Sequence, residues 1–295
     1  MPSMGDAPCP CPCPCPCPTS LEDLMLKLCS PDADSQREAS LALRNLAKTS
    51  SVHRFCIGEI GAIPSLITLL SSPDTETQTH SVTALFNLTL RNDANKASIA
   101  SDKGIDAVVQ VMNNGGLEAR ENAAALLCNL SRSKASLRMI CGEDLFRGLV
   151  GVLREGSMRG KRDAAGAMYN LLTNRKSRGL AVSAGAVEAL FQIAEDRASG
   201  LIDESIAVLA NLAGHRDGRC EMESPDWMQC LLALMREGSE SNKEFACALL
   251  LLLCQHSSSV TQMLQTMGAK EPLLALSKCG TDRARRKALN ILELL

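Results

Sequence analysis

One arrangement of apolar and polar positions returns along this chain at a fixed interval. Six segments align without gaps: REASLALRNLA (37–47), THSVTALFNLT (79–89), ENAAALLCNLS (121–131), RDAAGAMYNLL (162–172), DESIAVLANLA (203–213) and EFACALLLLLC (244–254). A shorter RKALNILELL (286–295) closes the chain. With the Asn before the Leu as landmark, the column holds Asn45, Asn87, Asn129, Asn170 and Asn211, then Leu252 and Glu293, so the interval is 41 or 42 throughout. Self-similarity of that length predicts an array of stacked units, each burying its apolar face against its neighbours.

Each period has the same internal order. In the second, SVHRFCIGEIG is a short amphipathic stretch ending in Gly, and GAIPSLITLLSS is a helix opening near Pro64, a residue tolerated in a first turn. SPDTETQ then reads as a polar link with Asp and Thr as candidate caps, followed by a longer helix over SVTALFNLTL. The middle helix recurs as GIDAVVQVM, DLFRGLVGVL, GAVEALFQIA, DWMQCLLALM and GAKEPLLALS. Three helices in about 41 residues differ from tetratricopeptide repeats (about 34), ankyrin repeats (about 33) and the two-helix HEAT repeat.

Composition agrees with an all-α array. The 295 residues include only five Phe, one Tyr and one Trp, so the core is built from Leu, Ala, Val, Ile and Met. The net charge of −2 argues against a nucleic-acid binder. No apolar run approaches the roughly 18 residues of a membrane span, and no basic-then-apolar leader opens the chain. Nine of the fourteen cysteines (Cys29, Cys56, Cys128, Cys141, Cys220, Cys230, Cys247, Cys254, Cys279) are scattered through apolar patterns without a C-x-x-C pair. They read as reduced, small hydrophobic residues of a cytoplasmic or nuclear protein. The other five (Cys9, Cys11, Cys13, Cys15, Cys17) alternate with Pro in residues 1–19, which are expected to form an extended or disordered tail ahead of an array over 20–295. Soft-metal binding at C-x-C spacing and cysteine lipidation are the sharper readings of that tail; no zinc module is implied.

GAIPSLITLLSSPD followed by SVTALFNLTLRNDANK resembles the armadillo repeat. With ENAAALLCNLS, KRDAAGAMYNLLTN and the closing RARRKALNILELL, residues 20–295 resemble the C-terminal armadillo arrays of plant U-box ubiquitin ligases. The resemblance implies a right-handed superhelix (an α-solenoid) of about seven three-helix repeats. It also implies protein or peptide clients in a concave groove lined by the third helices, and a setting among the ubiquitin-ligase machinery. In that group a U-box precedes the array, and residues 1–19 do not provide one, so no contact with conjugating enzymes carries over to any residue here. A non-catalytic scaffold that takes an extended or acidic partner segment is therefore expected. A truncated U-box ligase, its catalytic module missing from this chain, is the alternative.

The Asn column resembles the family's peptide-gripping ladder. A carboxamide can pair with both polar groups of an extended backbone. With helices roughly 8–10 Å apart and a strand rising about 3.3 Å per residue, five positions would hold about 8–12 ligand residues. The same amides could instead bond the neighbouring repeat and hold the stack in register; both roles stand. Nuclear import adaptors pair each such Asn with a Trp one turn earlier. Here that position holds Leu41, Thr83, Ala125, Gly166 and Ala207, so a receptor for basic localisation signals is not expected.

Charge is uneven within each repeat. Arg91 and Lys96; Arg132, Lys134 and Arg138; Arg175, Lys176 and Arg178; and Arg216 and Arg219 follow the long helices. More acidic links precede them: Asp32 and Asp34, Asp74 and Glu76, Glu195 and Asp196, Glu237 and Glu240. Either these are solvated turns, or Arg132 and Arg175 belong to a basic strip that favours acidic or phosphorylated partners. FACALLLLLC (245–254) is apolar all round, so Ala248, Leu251 and Leu252 are either covered by the last repeat or exposed as an apolar docking patch. No phosphate loop, nucleophile elbow or zinc spacing occurs, and His53, His80, His215 and His256 share no constellation. No cofactor, metal or catalytic residue is expected.

Overall fold

The structure is a computed structural model that describes residues 20–137 and 140–295. The tail expected over residues 1–19 and the basic residue Arg138 lie outside the described residues. Among the described residues there are twenty α-helices and one 3-10 turn, and no strand.

The helices form three stacks. The long ones are α2 (Ala33–Thr49), α5 (Thr75–Leu88), α8 (Leu117–Leu130), α11 (Met158–Leu171), α14 (Ile202–Leu212), α17 (Glu240–Cys254) and α20 (Asp282–Leu294). The middle ones are α1 (Leu21–Leu28), α4 (Ala62–Thr68, continued by the 3-10 turn Leu69–Ser71), α7 (Asp102–Asn114), α10 (Glu143–Glu155), α13 (Ala186–Glu195), α16 (Pro225–Glu237) and α19 (Lys270–Cys279). The short ones are α3 (Ser51–Glu59), α6 (Asp93–Ile99), α9 (Lys134–Leu137), α12 (Arg175–Ser183), α15 (Arg216–Met222) and α18 (Ser258–Thr266). Every long helix packs on the long helix of the next repeat, and every middle helix on the next middle helix. The described chain is thus six three-helix repeats preceded by a two-helix start.

Local chemistry sets the boundaries. Asp32, Asp74, Ser157, Ser239 and Thr281 each cap a long helix, their side-chain oxygens accepting from a backbone N–H in the first turn. The long helix of the second repeat starts at Thr75, six residues ahead of the SVTALFNLTL stretch expected to be helical. Asp74 caps the polar TETQTH turns, which face solvent and the neighbouring repeat and so carry no apolar period. Between short and middle helices the chain turns through Gly61 (φ 77°) and Gly185 (φ 82°), left-handed positions that a Cβ would strain.

One continuous apolar core runs from Leu24 to Ile291. Small residues (Ala39, Ala84, Ala123, Ala124, Ala164, Ala165) are fully or nearly fully buried in the long helices and let them approach closely. Few aromatics are needed: Phe146 is fully buried, and Phe191 stacks on Trp227 with ring centroids 4.1 Å apart. No single described helix is long and apolar enough to cross a membrane; the one pair that passes together, Ser51–Glu59 with Ala62–Ser71, is bent by 83°.

Candidate functional site

The five landmark asparagines sit near the C-terminal ends of successive long helices, and their carboxamides are used in three ways. Asn87, only 5% exposed, donates from Nδ2 to the Arg44 carbonyl of the preceding long helix at 3.1 Å. Asn129 donates to Thr89 Oγ1 (3.2 Å), which in turn donates to the Phe86 carbonyl (2.6 Å). Asn170 donates to Ser131 Oγ (3.0 Å), which donates to the Cys128 carbonyl (2.9 Å). Arg44, Phe86 and Cys128 occupy the same column, so each amide satisfies the equivalent carbonyl of the previous repeat, directly or through one hydroxyl.

The residue two positions after the landmark decides which. It is Ala47 in the first repeat, where no hydroxyl can intervene, then Thr89 and Ser131. In the fourth it is Leu172, and Asn211 accordingly turns back to its own helix, donating to the Ala207 carbonyl at 3.1 Å. Asn129, Asn170 and Asn211 are half-buried, whereas Asn45 at the start of the column is exposed. A carboxamide has two N–H donors and an acceptor oxygen, so one bond to the neighbouring repeat does not exhaust it.

Three clefts follow the long-helix face. The first, about 330 Å³, lies between α2, α5 and α8 and is lined by Arg44, His80 and Glu118 among others. Arg44 Nη1 lies 3.1 Å from His80 Nδ1 and Nη2 lies 3.5 Å from Glu118. Burial, with the Arg44 charge second, holds the His80 pKa below its ordinary value. The second cleft, also about 330 Å³, joins Arg132 and Asn170 with Gly166, Tyr169 and Ala207. The third, about 710 Å³, spans α11 to α20 and contains Asn211 between Tyr169 and Phe245. Tyr169 and Ala207 line both of the last two clefts, so these are contiguous.

The structure thus gathers Asn170 and Arg132 in one cleft and Asn211 in the next. Arg175 is exposed at the start of α12, outside all three clefts. Leu251, with Leu252, is half-buried against the core, and Ala248 is half-buried on the floor of the third cleft. Helix α17 packs on α14, α16 and α20, three neighbours that cover most of its all-round apolar surface. The expected basic ridge is only partly a ridge. Arg178 Nε donates to the Leu172 carbonyl (3.2 Å) and Arg219 Nη1 to the Ala213 carbonyl (2.8 Å). Arg54 does the same to Ala47 (3.0 Å). These short-helix side chains satisfy carbonyls that a helix C-terminus leaves without partners. Arg91, Arg132, Arg175 and Arg216 remain exposed.

A second column, eight residues before the landmark, was not visible in the sequence. Arg37 forms a two-pronged pair with Asp74, the cap of the next long helix (Nε–Oδ2 3.0 Å, Nη2–Oδ1 3.1 Å). Glu121 accepts from the hydroxyl of the cap Ser157 (2.8 Å) and from its backbone N–H. Asp203 accepts from Asn242 in the Ser239 capping box. Glu244 accepts from the cap Thr281 (2.9 Å). Residue types differ along this column, but Arg37, Glu121, Asp203 and Glu244 each fasten one long helix to the N-terminus of the next. Arg162 reaches Glu204 in the first turn of α14 (3.4 Å), whereas Thr79 donates to the Thr75 carbonyl of its own helix (2.7 Å). Arg37, then the Thr77 hydroxyl and N–H, hold the Asp74 carboxyl well below the usual carboxylate range.

Stacked three-helix units, a continuous core and a recessed long-helix face define an armadillo-type α-solenoid. A designed armadillo repeat protein superposes with a TM-score of 0.66 at 22% identity, over 79% of this chain and 100% of that one. An engineered protein superposes with a TM-score of 0.75 at 22% identity, over 92% and 67%. The profile of the family described as plant U-box protein ARM repeat region matches residues 20–295, and the chain belongs to that family. Among its relatives, U-box domain-containing protein 12 of Oryza sativa subsp. japonica is 41% identical over 100 residues, 34% of this chain and 16% of that protein. U-box domain-containing protein 16 of Arabidopsis thaliana is 31% identical over 151 residues, 50% of this chain and 22% of that protein. The matched stretch is less than a quarter of either relative's length.

Proposed function

We propose that this chain is a non-catalytic scaffold that binds an extended segment of a protein partner along its long-helix face. One observation carries the reading. Asn129, Asn170 and Asn211 are half-exposed, keep unused hydrogen-bonding capacity, and follow a column of small residues one turn earlier (Ala125, Gly166, Ala207). Small residues leave a backbone room to approach, and regularly spaced carboxamides match its repeating N–H and C=O groups. Armadillo arrays serve generally as protein-binding surfaces, and kinship to U-box proteins supports client selection in ubiquitination as the setting. The free state of all nine described cysteines fits a reducing compartment, cytoplasm or nucleus.

A second reading follows from the relatives' greater length: this array belongs to a ligase whose conjugating module lies outside these residues. An upstream reading frame that continues into this array and encodes a U-box would favour the second reading and separate the two. On either reading purified residues 1–295 are expected to form no ubiquitin chains with any conjugating enzyme, and robust chain formation would overturn the non-catalytic assignment. Panning a random peptide library against the chain tests the groove itself, since selected peptides should compete for one site and lose affinity in the Asn129→Ala, Asn170→Ala variant.

A further inference from the structure

The third cleft differs from the rest of the face in both charge and shape. Its far wall is α20, which presents Arg283, Arg286 and Lys287. The one carboxylate lining it, Glu244, already lies 3.7 Å from Arg283 and 3.8 Å from Lys287 and accepts from Thr281. Three cations therefore face one acid that is engaged on three sides, and the exposed Arg286 makes only a 3.3 Å bond to the Asp282 carbonyl of its own helix. Two aromatic rings line the cleft, Tyr169 on α11 (47% exposed) and Phe245 on α17 (37% exposed), in a protein with seven aromatic residues in all. The small residues lining it are Ala207 and Ala210 on α14 and Ala248 on α17, and Asn211 is tied only to its own helix.

We infer that this cleft is the specificity anchor of the groove, and that it takes an acidic peptide segment in which an aliphatic side chain sits between Asp or Glu residues. The aliphatic residue lies against these alanines and the rings of Tyr169 and Phe245. The flanking carboxylates meet Arg283, Arg286 and Lys287, and Asn211 bonds the segment's backbone. The excess of three cations over one carboxylate decides the sign of the occupant: a basic segment would be repelled by it, and a neutral one would leave Arg286 without a counter-charge. The alanines and rings decide against a polyanion read by charge alone, because such a ligand has nothing to place there. This inference rests on the groove-binding reading and adds to it what the groove selects.

The test uses the full chain and a fluorescein-labelled peptide of Asp and Glu residues flanking one central Leu, followed by anisotropy. The same peptide with Asn and Gln in place of the acids should bind about tenfold more weakly or worse. Arg286→Glu with Asn290→Glu, both exposed and neither touching Glu244, should cost a similar factor without changing the melting curve. Phe245→Ala should weaken the acidic peptide severalfold. Arg175→Glu with Arg216→Glu, a comparable charge change outside the clefts, should leave binding intact. Equal binding of the acidic and amide peptides, an equal loss in the distant charge variant, or displacement by single-stranded DNA as effective as by unlabelled peptide would each overturn the inference. If library-selected neutral peptides bind through Asn129 and Asn170 while the acidic peptide does not, the scaffold reading survives and the acidic anchor fails.

Discussion

The Asn170 carboxamide donates to the Ser131 hydroxyl of the preceding repeat at 3.0 Å, and Ser131 passes the bond on to the end of its own helix. One side chain thereby joins two repeats while keeping its oxygen and its second N–H for something else. The two roles that an Asn ladder could have are compatible at this position because the neighbour needs only one donor. At Asn87 they are not, because that side chain is buried.

Replacing Asn87 with Ala should therefore cost stability and not affinity. The variant loses one hydrogen bond, and the Arg44 carbonyl keeps only its bond within α2, a cost of about 0.5–1.5 kcal/mol. Urea denaturation should show the midpoint falling with an unchanged slope, while affinity for a groove peptide stays the same at temperatures where the variant is folded.

The relay makes a separate, quantitative claim. Thr89→Val removes the hydroxyl between Asn129 and the Phe86 carbonyl and keeps the side-chain shape. Each of Thr89→Val and Asn129→Ala should destabilise by about 0.5–1.5 kcal/mol, and the double variant by less than their sum, because they break the same chain of bonds. Strict additivity in the double-mutant cycle would show that the two do not communicate.

The Arg37–Asp74 clamp gives a pH signature. Because the folded-state pKa of Asp74 lies below its ordinary value of 3.8, the pair stabilises the fold fully above that value, and the contribution fades as pH falls through and below it. Wild type should thus melt higher than Asp74→Asn at neutral pH, with the gap narrowing below about pH 4. A gap that widens on acidification would contradict the assignment.

Cysteine labelling separates core from surface. Burial pushes the Cys247 thiol up to about 12 and Cys230 and Cys254 to about 11, whereas Cys29, Cys141, Cys220 and Cys279 are exposed. At pH 8 iodoacetamide should modify those four first, with Cys247 and Cys254 protected until denaturant is added. Peptide mapping by mass spectrometry reads this site by site.

The sequence made the period, the helix order and the Asn column legible, because a helix buried in a stack must repeat its apolar and small residues. Asp74 was legible as a cap for the same local reason. The column that begins with Arg37 and continues through Glu121, Asp203 and Glu244 was hidden, because a clamp to a helix N-terminus can be made by either charge, depending on the cap it meets. Arg178 and Arg219 misled for a related reason. Composition counts them as surface charge, but their guanidinium groups turn inward to backbone carbonyls. Leu251 was ambiguous because nothing local says which neighbouring helix covers an all-apolar one.

The most direct test of the central claim is calorimetric titration of a library-selected groove peptide into wild type and into the Asn129→Ala, Asn170→Ala, Asn211→Ala variant, beside thermal melts of both. If the half-exposed carboxamides grip a ligand backbone, each loss should cost about 0.5–1.5 kcal/mol of binding, and the triple change about tenfold or more, in a variant that remains helical and cooperatively folded. Unchanged affinity in a normally folded triple variant would contradict the account and leave the asparagines as fasteners between repeats alone.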